Sequence, residues 1–150
     1  MTPRAIVLDA NVLMRGVLGR KVDRLIDQFA PGVTFLAPDV AFDDVREHLA
    51  AVLTKRDELH ALQACLDKLE ALQRLIRVVD ESEYLSMKPA ALERIDRRDP
   101  DDWPVLACAL LLKCPIWTED RDFFGTGVAT WTTALVELFF NEPDQGAAEH

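Results

Sequence analysis

Cysteine is scarce in this chain. Cys65, Cys108 and Cys114 are an odd number with no CxxC spacing, so a disulfide framework and a zinc knuckle are both poor fits and a reducing cytosol is the simple reading. Histidine is as sparse. His48, His60 and His150 are scattered, with neither HxxH nor HExxH spacing, which argues against a histidine-built zinc site. Basic charge is in deficit: 17 Lys and Arg face 26 Asp and Glu, a formal net charge of −9. A passive basic coat for DNA or RNA is therefore not expected, although cations bound in a site can reverse the local field. Long hydrophobic runs are missing as well. The aliphatics Ile6, Val7 and Leu8 are broken by Asp9 and again by Arg15. That is too short for a signal segment, and no run approaches the roughly 20 residues of a membrane span. A soluble cytoplasmic protein is expected, with no repeat, linker or low-complexity segment.

What is present is enough for one core. The 150 residues are 49% hydrophobic and 29% charged, a balance that folds rather than staying disordered. One domain is expected over residues 1–140, with a polar tail over 141–150 that should fray. A strand is expected over residues 4–8, where the aliphatics after Arg4 are continuous, as in a strand covered on both faces. Val12, Leu13, Val17 and Leu18 then fall at helical spacing, with Gly19 as a stop. Val22, Leu25, Ile26 and Phe29 predict a second helix and residues 34–37 a second strand. Long helices are predicted from Pro38 to about residue 54 and over 57–73. A third strand is expected over 75–79. Asp80 and Glu83 resemble a capping box at the head of a helix over 81–96, which Pro89 should kink or divide. Residues 96–102 are too polar for a core and read as a loop. Val105, Leu106, Ala109, Leu110 and Leu112 predict a buried helix. Strands are expected over 115–118 and 128–131, and a last helix over 132–140. Strands alternating with helices in this way predict an α/β sandwich around a mostly parallel sheet of four to five strands.

The acids fall at informative places. Asp9 follows the first strand directly and Asp120 follows the fourth. Ligands of open α/β sheets bind where strands end and their connections diverge. Asp102 opens the buried helix, and Asp43, Asp44 and Glu47 lie in the first turns of another. Ordinary readings stand beside this one. Asp102 or Asp101 could serve as an N-cap, Asp120 could cap a turn over 120–123, and Asp43, Asp44 and Glu47 could form a solvated helix face. Asp9 is harder to dismiss, because a buried carboxylate between an apolar strand and an apolar helix needs a partner, a proton or a metal. Four converging carboxylates would repel one another by roughly 4 kcal/mol per close pair at an effective dielectric near 20. Divalent cations relieve this at neutral pH, and hard oxygen ligands favour Mg²⁺ or Mn²⁺. Such a site suits phosphoryl chemistry. Cations that could position a polyanion nearby are Arg15, Arg20, Lys21 and Arg24, with Lys55, Arg56, Arg97 and Arg98.

Three stretches carry a family resemblance. "IVLDANVLMRGVL" resembles the opening of PIN domains, and "FLAPDVAFDDVREHL" their second strand and acid-bearing helix. "RDPDDWPVLACALLLKCPIWTEDRDF" resembles their closing block, the most specific of the three. The resemblance spans roughly residues 4–132. It implies a three-layer α/β/α fold and a Mg²⁺- or Mn²⁺-dependent hydrolase, an endoribonuclease acting on single-stranded RNA. In bacteria such proteins are often the toxin of a toxin–antitoxin pair, and relatives are often homodimers. The family's acids fall on Asp9, Asp102 and Asp120. The second acid falls on Asp44, with Asp43 and Glu47 as alternatives. On this reading Asp9, Asp102 and Asp120 hold the metal, Asp44 orients water or acts as a base, and Asn11, Thr118 and Asp122 support them by hydrogen bonding. Family members commonly carry Ser or Thr directly after the first Asp and Glu as the second acid. This chain has Ala10 and Asp44 there. Two other classes compete: a binding module on the same fold without activity, and a Mg²⁺-dependent phosphatase-like α/β protein. The latter wants a second Asp where this chain has Asn11.

Overall fold

The computed structural model describes residues 4–95 and 98–142. Five short apolar runs pair into one sheet: β1 (Arg4–Leu8), β2 (Val33–Pro38), β3 (Ile76–Val79), β4 (Ile116–Trp117) and β5 (Thr130–Trp131). Every pairing is parallel and the order is β3-β2-β1-β4-β5. β1 is central, with Val7 opposite both Leu36 and Ile116, and Leu8 opposite Trp117. The chain builds outward from β1 to β2 and β3, then returns to add β4 and β5 on the other side. That reversal makes the carboxyl ends of β1 and β4 the crevice of the sheet.

Parallel strands need long crossovers, and these supply two layers of helices. α1 (Ala10–Leu18), α2 (Lys21–Phe29), α3 (Asp39–Lys55) and α4 (Leu62–Leu75) cover one face with α8 (Val136–Phe140). α5 (Glu81–Tyr84), α6 (Lys88–Ile95) and α7 (Trp103–Leu112) cover the other. Side chains alternate between the layers with the period of a strand. Ile6, Leu8, Phe35, Ala37 and Trp117 enter the first core, while Val7, Leu36, Val79 and Ile116 enter the second. The fold is thus a three-layer α/β/α sandwich, and burial on both faces explains the apolar runs over 5–8 in β1 and 35–38 in β2.

Several elements differ from the sequence reading. The helix expected over 57–73 is a 3-10 turn (Leu59–Ala61) followed by α4, which runs on to Leu75, so β3 starts at Ile76. The helix expected over 81–96 is divided by a 3-10 turn at Leu85–Met87. The division comes before Pro89, which sits in the first turn of α6, where a missing N–H costs no hydrogen bond. The capping box at its head is present: Asp80 accepts from Ser82 and Glu83 from the Asp80 N–H. Within the expected loop over 96–102, Pro100–Asp102 forms a 3-10 turn. Arg97, and residues 143–150 of the expected tail, lie outside the described residues. The final helix is shorter than expected because residues 132–135 form a turn on the Thr132 carbonyl. The apolar stripes of the helices over 22–73 face the core. Among large hydrophobic side chains there, only Leu59 is exposed. No described helix is long and apolar enough to cross a membrane.

Candidate functional site

β1 delivers Asp9 to the crevice. The Asp9 N–H donates to the Trp117 carbonyl (3.1 Å), continuing the β1–β4 ladder by one residue. Asp9 then caps α1, its Oδ1 accepting from the Ala10 N–H at 2.7 Å. Its Oδ2 accepts from the Thr118 hydroxyl at 2.8 Å and from Asn11 Nδ2 at 3.1 Å. Only 7% of the residue is exposed. Burial pushes the Asp9 carboxyl up from its ordinary range. The bonds from Thr118 and Ala10 oppose this, and the charges of Asp120 and Asp44 add to it. Thr118 works in both directions, because its Oγ1 also accepts from the Asp120 N–H at 2.9 Å. Asn11 spans the same gap, its Oδ1 accepting from the Glu119 N–H at 3.3 Å. Two neutral side chains thereby lock the ends of β1 and β4 together around one carboxylate.

The opposite wall comes from the start of α7 and the turn after β4. Asp102 stands at the N-cap position of α7 yet makes no capping bond. The turn before it is held by Asp99, which accepts from the Asp101 N–H at 3.0 Å. One Asp102 oxygen, Oδ2, is buried with no hydrogen-bond partner. Burial pushes this carboxyl up to about 8, with the charges of Asp9, Asp120, Asp99 and Asp122 adding to the effect in that order. Asp120 caps its own turn, Oδ1 accepting from the Asp122 N–H at 2.9 Å. Asp102, Asp120 and Asp122 each bring a carboxylate oxygen within 4.8 Å of the others. Asp122, expected as a supporting neighbour, sits within this tight group. No ion pair among the described residues involves any of these acids.

α3 brings the remaining acids to the rim. Asp44 is exposed, but its charge reaches Asp9. Partial desolvation raises its pKa; His48 lowers it, and Glu47, Asp43 and Asp101 raise it. Asp44, Glu47 and His48 form an exposed group with donor atoms within 4.8 Å. Asp43 turns away to pair with Arg46 at 3.4 Å, its side chain 72% exposed. Of the expected cations, Arg15, Arg20, Lys21 and Arg56 line a groove beside α1, and the Arg98 guanidinium lies next to Gly125. Sequence reasoning missed Glu119 and Thr133. Glu119 Oε1 accepts from the Thr133 N–H at 2.7 Å, tying the turn before α8 to the acid crevice. Adjacency to Thr118 is the only trace of this in the sequence.

The PIN-domain family model matches residues 7–141. The chain belongs to the PIN-domain family. Solved structures agree in fold at low identity. The VapBC2 complex of Rickettsia felis bound to promoter DNA matches with a TM-score of 0.64 and 9% identity, over 85% of this chain and 98% of that one. FitAcB from Neisseria gonorrhoeae matches with a TM-score of 0.58 and 19% identity, over 86% and 98% of the two chains. A toxin–antitoxin complex from Klebsiella pneumoniae matches with a TM-score of 0.54 and 17% identity, over 85% and 97%. No curated protein matches the chain significantly.

The acids of this PIN domain fit a divalent cation. The donor set is carboxylate oxygen throughout, the chemistry that hard ions such as Mg²⁺ and Mn²⁺ prefer and that zinc does not. The buried, unpartnered Asp102 oxygen is the observation that carries the fit. An orphaned buried polar atom is costly, on the order of 1–3 kcal/mol, unless something binds it. Protonation removes the charge in the free protein without giving that oxygen a partner, whereas a cation would displace the proton, bind the oxygen and screen Asp120 and Asp122 together.

Proposed function

We propose that this PIN domain is a Mg²⁺- or Mn²⁺-dependent endoribonuclease that hydrolyses phosphodiester bonds of single-stranded RNA. The observation that carries the reading is the convergence of Asp102, Asp120 and Asp122 beside a hydrogen-bonded Asp9 at the sheet's crevice. PIN domains are generally nucleases and usually use a divalent metal, which agrees with this donor set.

Asp102, Asp120 and Asp122 would hold the cation, with Asp9 adding charge from a fixed orientation. When bound, the cation supplies Lewis acidity toward a phosphoryl oxygen and makes water nucleophilic at neutral pH. Thr118 and Asn11 keep Asp9 in one rotamer by occupying Oδ2, so its remaining lone pairs face one direction. Asp44, at the solvent side, would take the proton of the attacking water while a solvent water protonates the leaving 3′ oxygen. The Ala10 position adds no hydroxyl to this set. The Klebsiella pneumoniae relative is described as a toxin–antitoxin complex, and the toxin role, with a protein antitoxin as partner, is proposed for this chain on that likeness. The expected homodimer remains a proposal beside it.

The deciding experiment follows cleavage of a labelled single-stranded RNA with Mg²⁺ or Mn²⁺, against EDTA and against Asp9→Asn and Asp102→Asn. Cleavage should vanish in all three controls. Cleavage that survives EDTA and Asp9→Asn removes the mechanism. Failure of Mn²⁺ to bind at millimolar concentration, read by calorimetry, favours a binding module on the same fold.

A further inference from the structure

α1 has the acid site at its first turn, and one face of the helix continues away from it. Asn11, Met14, Arg15 and Leu18 are spaced i, i+3, i+4 and i+7, which places them on a single stripe. At the head of that stripe Asn11 binds Asp9 and the Glu119 N–H. Further along, Met14, Arg15 and Leu18 form one wall of a groove of about 460 Å³. With a rise of 1.5 Å per residue, Arg15 stands about 6 Å beyond Asn11 along the helix axis. The groove therefore opens directly off the acid crevice. Its lining also includes Thr133, whose N–H is held by Glu119, the residue whose own N–H binds Asn11 at the crevice.

The charge of the groove is the reverse of the molecule's. Arg15, Arg20, Lys21 and Arg56 line it and no acid does, in a chain of net charge −9. All four are exposed. None makes a side-chain ion pair or hydrogen bond among the described residues, whereas Arg46, Lys68 and Arg77 elsewhere are paired with acids. Unpaired cations around one concave surface focus a positive field there. No aromatic side chain lines the groove, so it has no platform on which bases could stack.

We infer that this groove binds the phosphate backbone of the RNA strand flanking the scissile bond, and that it reads charge rather than base identity. The substrate in this inference rests on the nuclease reading above. An acidic peptide would also suit four cations over aliphatic side chains. The RNA strand is favoured because the stripe runs from the residue that orients Asp9, so a strand with a phosphate among the acids meets Arg15 next.

The test is fluorescence anisotropy of a labelled oligouridylate of about 12 nucleotides in EDTA, so that no turnover intervenes. Four phosphate contacts predict a slope of log affinity against log salt of about −2.8 for the wild type. The variant Arg15→Gln/Arg20→Gln/Arg56→Gln should fall to about −0.7 and bind more weakly, while the matching triple Lys variant keeps the wild-type slope. Oligoadenylate should bind within about twofold of oligouridylate. Equal slopes for wild type and Gln variant, or no RNA binding by the wild type, overturn the inference. So does an oligoglutamate peptide that alone responds to the Gln substitutions. The two readings fail separately. Groove-dependent binding without cleavage on adding Mn²⁺ sinks the nuclease and leaves the groove, and EDTA-sensitive cleavage with groove-independent binding does the opposite.

Discussion

Asp102→Asn tests the electrostatics of the site apart from its activity. Asp102 holds a proton up to about pH 8 in the native fold and ionises at 3.8 when unperturbed. Between those values the native state retains a proton that the unfolded chain has released. This group's contribution to stability is thus complete below about pH 4 and is lost as pH rises through about 8. The whole interval of about four pH units corresponds to roughly 6 kcal/mol at 1.36 kcal/mol per unit. Asp102 is partly exposed, and solvent screening reduces the figure to about 2–3 kcal/mol. Asn keeps the shape and removes the proton equilibrium. In EDTA, warming the wild type at about pH 9 rather than about pH 4 should cost it about 2–3 kcal/mol relative to the variant. At about 2–4 °C per kcal/mol for a chain of this length, the difference in Tm is roughly 4–12 °C. Mn²⁺ should reverse the order at high pH, stabilising the wild type by about 2.7 kcal/mol at a hundredfold excess over Kd and the variant by less. Differential scanning fluorimetry at both pH values, with and without Mn²⁺, reads all four states. Parallel pH profiles for the two proteins would refute the account of the Asp102 proton, and equal stabilisation by Mn²⁺ would refute its place in the cation site.

Thr118→Val removes the hydroxyl that binds Asp9 Oδ2 and should cost about 1–3 kcal/mol. The urea midpoint should fall with an unchanged m value, and Thr118→Ser should restore most of the loss. Trp117→Ala empties the centre of the first core, where the indole is fully buried and donates to Thr133 Oγ1 at 3.1 Å. A loss of about 3–5 kcal/mol is expected by the same measurement, and a loss under about 1 kcal/mol would contradict the packing described. Asp44→Asn should lower Mn²⁺-dependent RNA cleavage about a hundredfold or more, whereas Asp43→Asn should stay within about twofold because Asp43 faces Arg46. The reverse ranking would move the base to another position on α3.

The sequence carried the sheet and the location of the crevice because both depend on local patterns. Residues 5–8 show an unbroken aliphatic run, and Asp9 ends it; that alone predicts a strand buried on both faces and a carboxylate at its tip. The same logic made Thr118 and Asp120 visible at the end of β4. What escaped was the part that depends on relative orientation. Nothing in the local sequence distinguishes an N-cap Asp from one that leaves the capping to Asp99, yet that difference gives Asp102 its unpartnered oxygen. Asp122 follows Asp120 by two residues, and it is the 3-10 turn over Arg121–Phe123 that brings both carboxylates into the cluster. The Glu119–Thr133 bond joins residues 14 apart through a turn whose geometry the composition does not specify. Arg15, Arg20 and Arg56 were each visible as cations. Their assembly around one groove needed the packing of α1 against α3.

The partner of Asp9 lies 109 residues downstream. At roughly 5–20 residues per second, a growing chain carries Asp9 for about 5–20 s before Thr118 is even polymerised. During that interval the carboxylate has neither its hydroxyl nor the strand that the hydroxyl belongs to. The acid crevice therefore comes into being only once β4 and the turn behind it have been made and have docked beside β1.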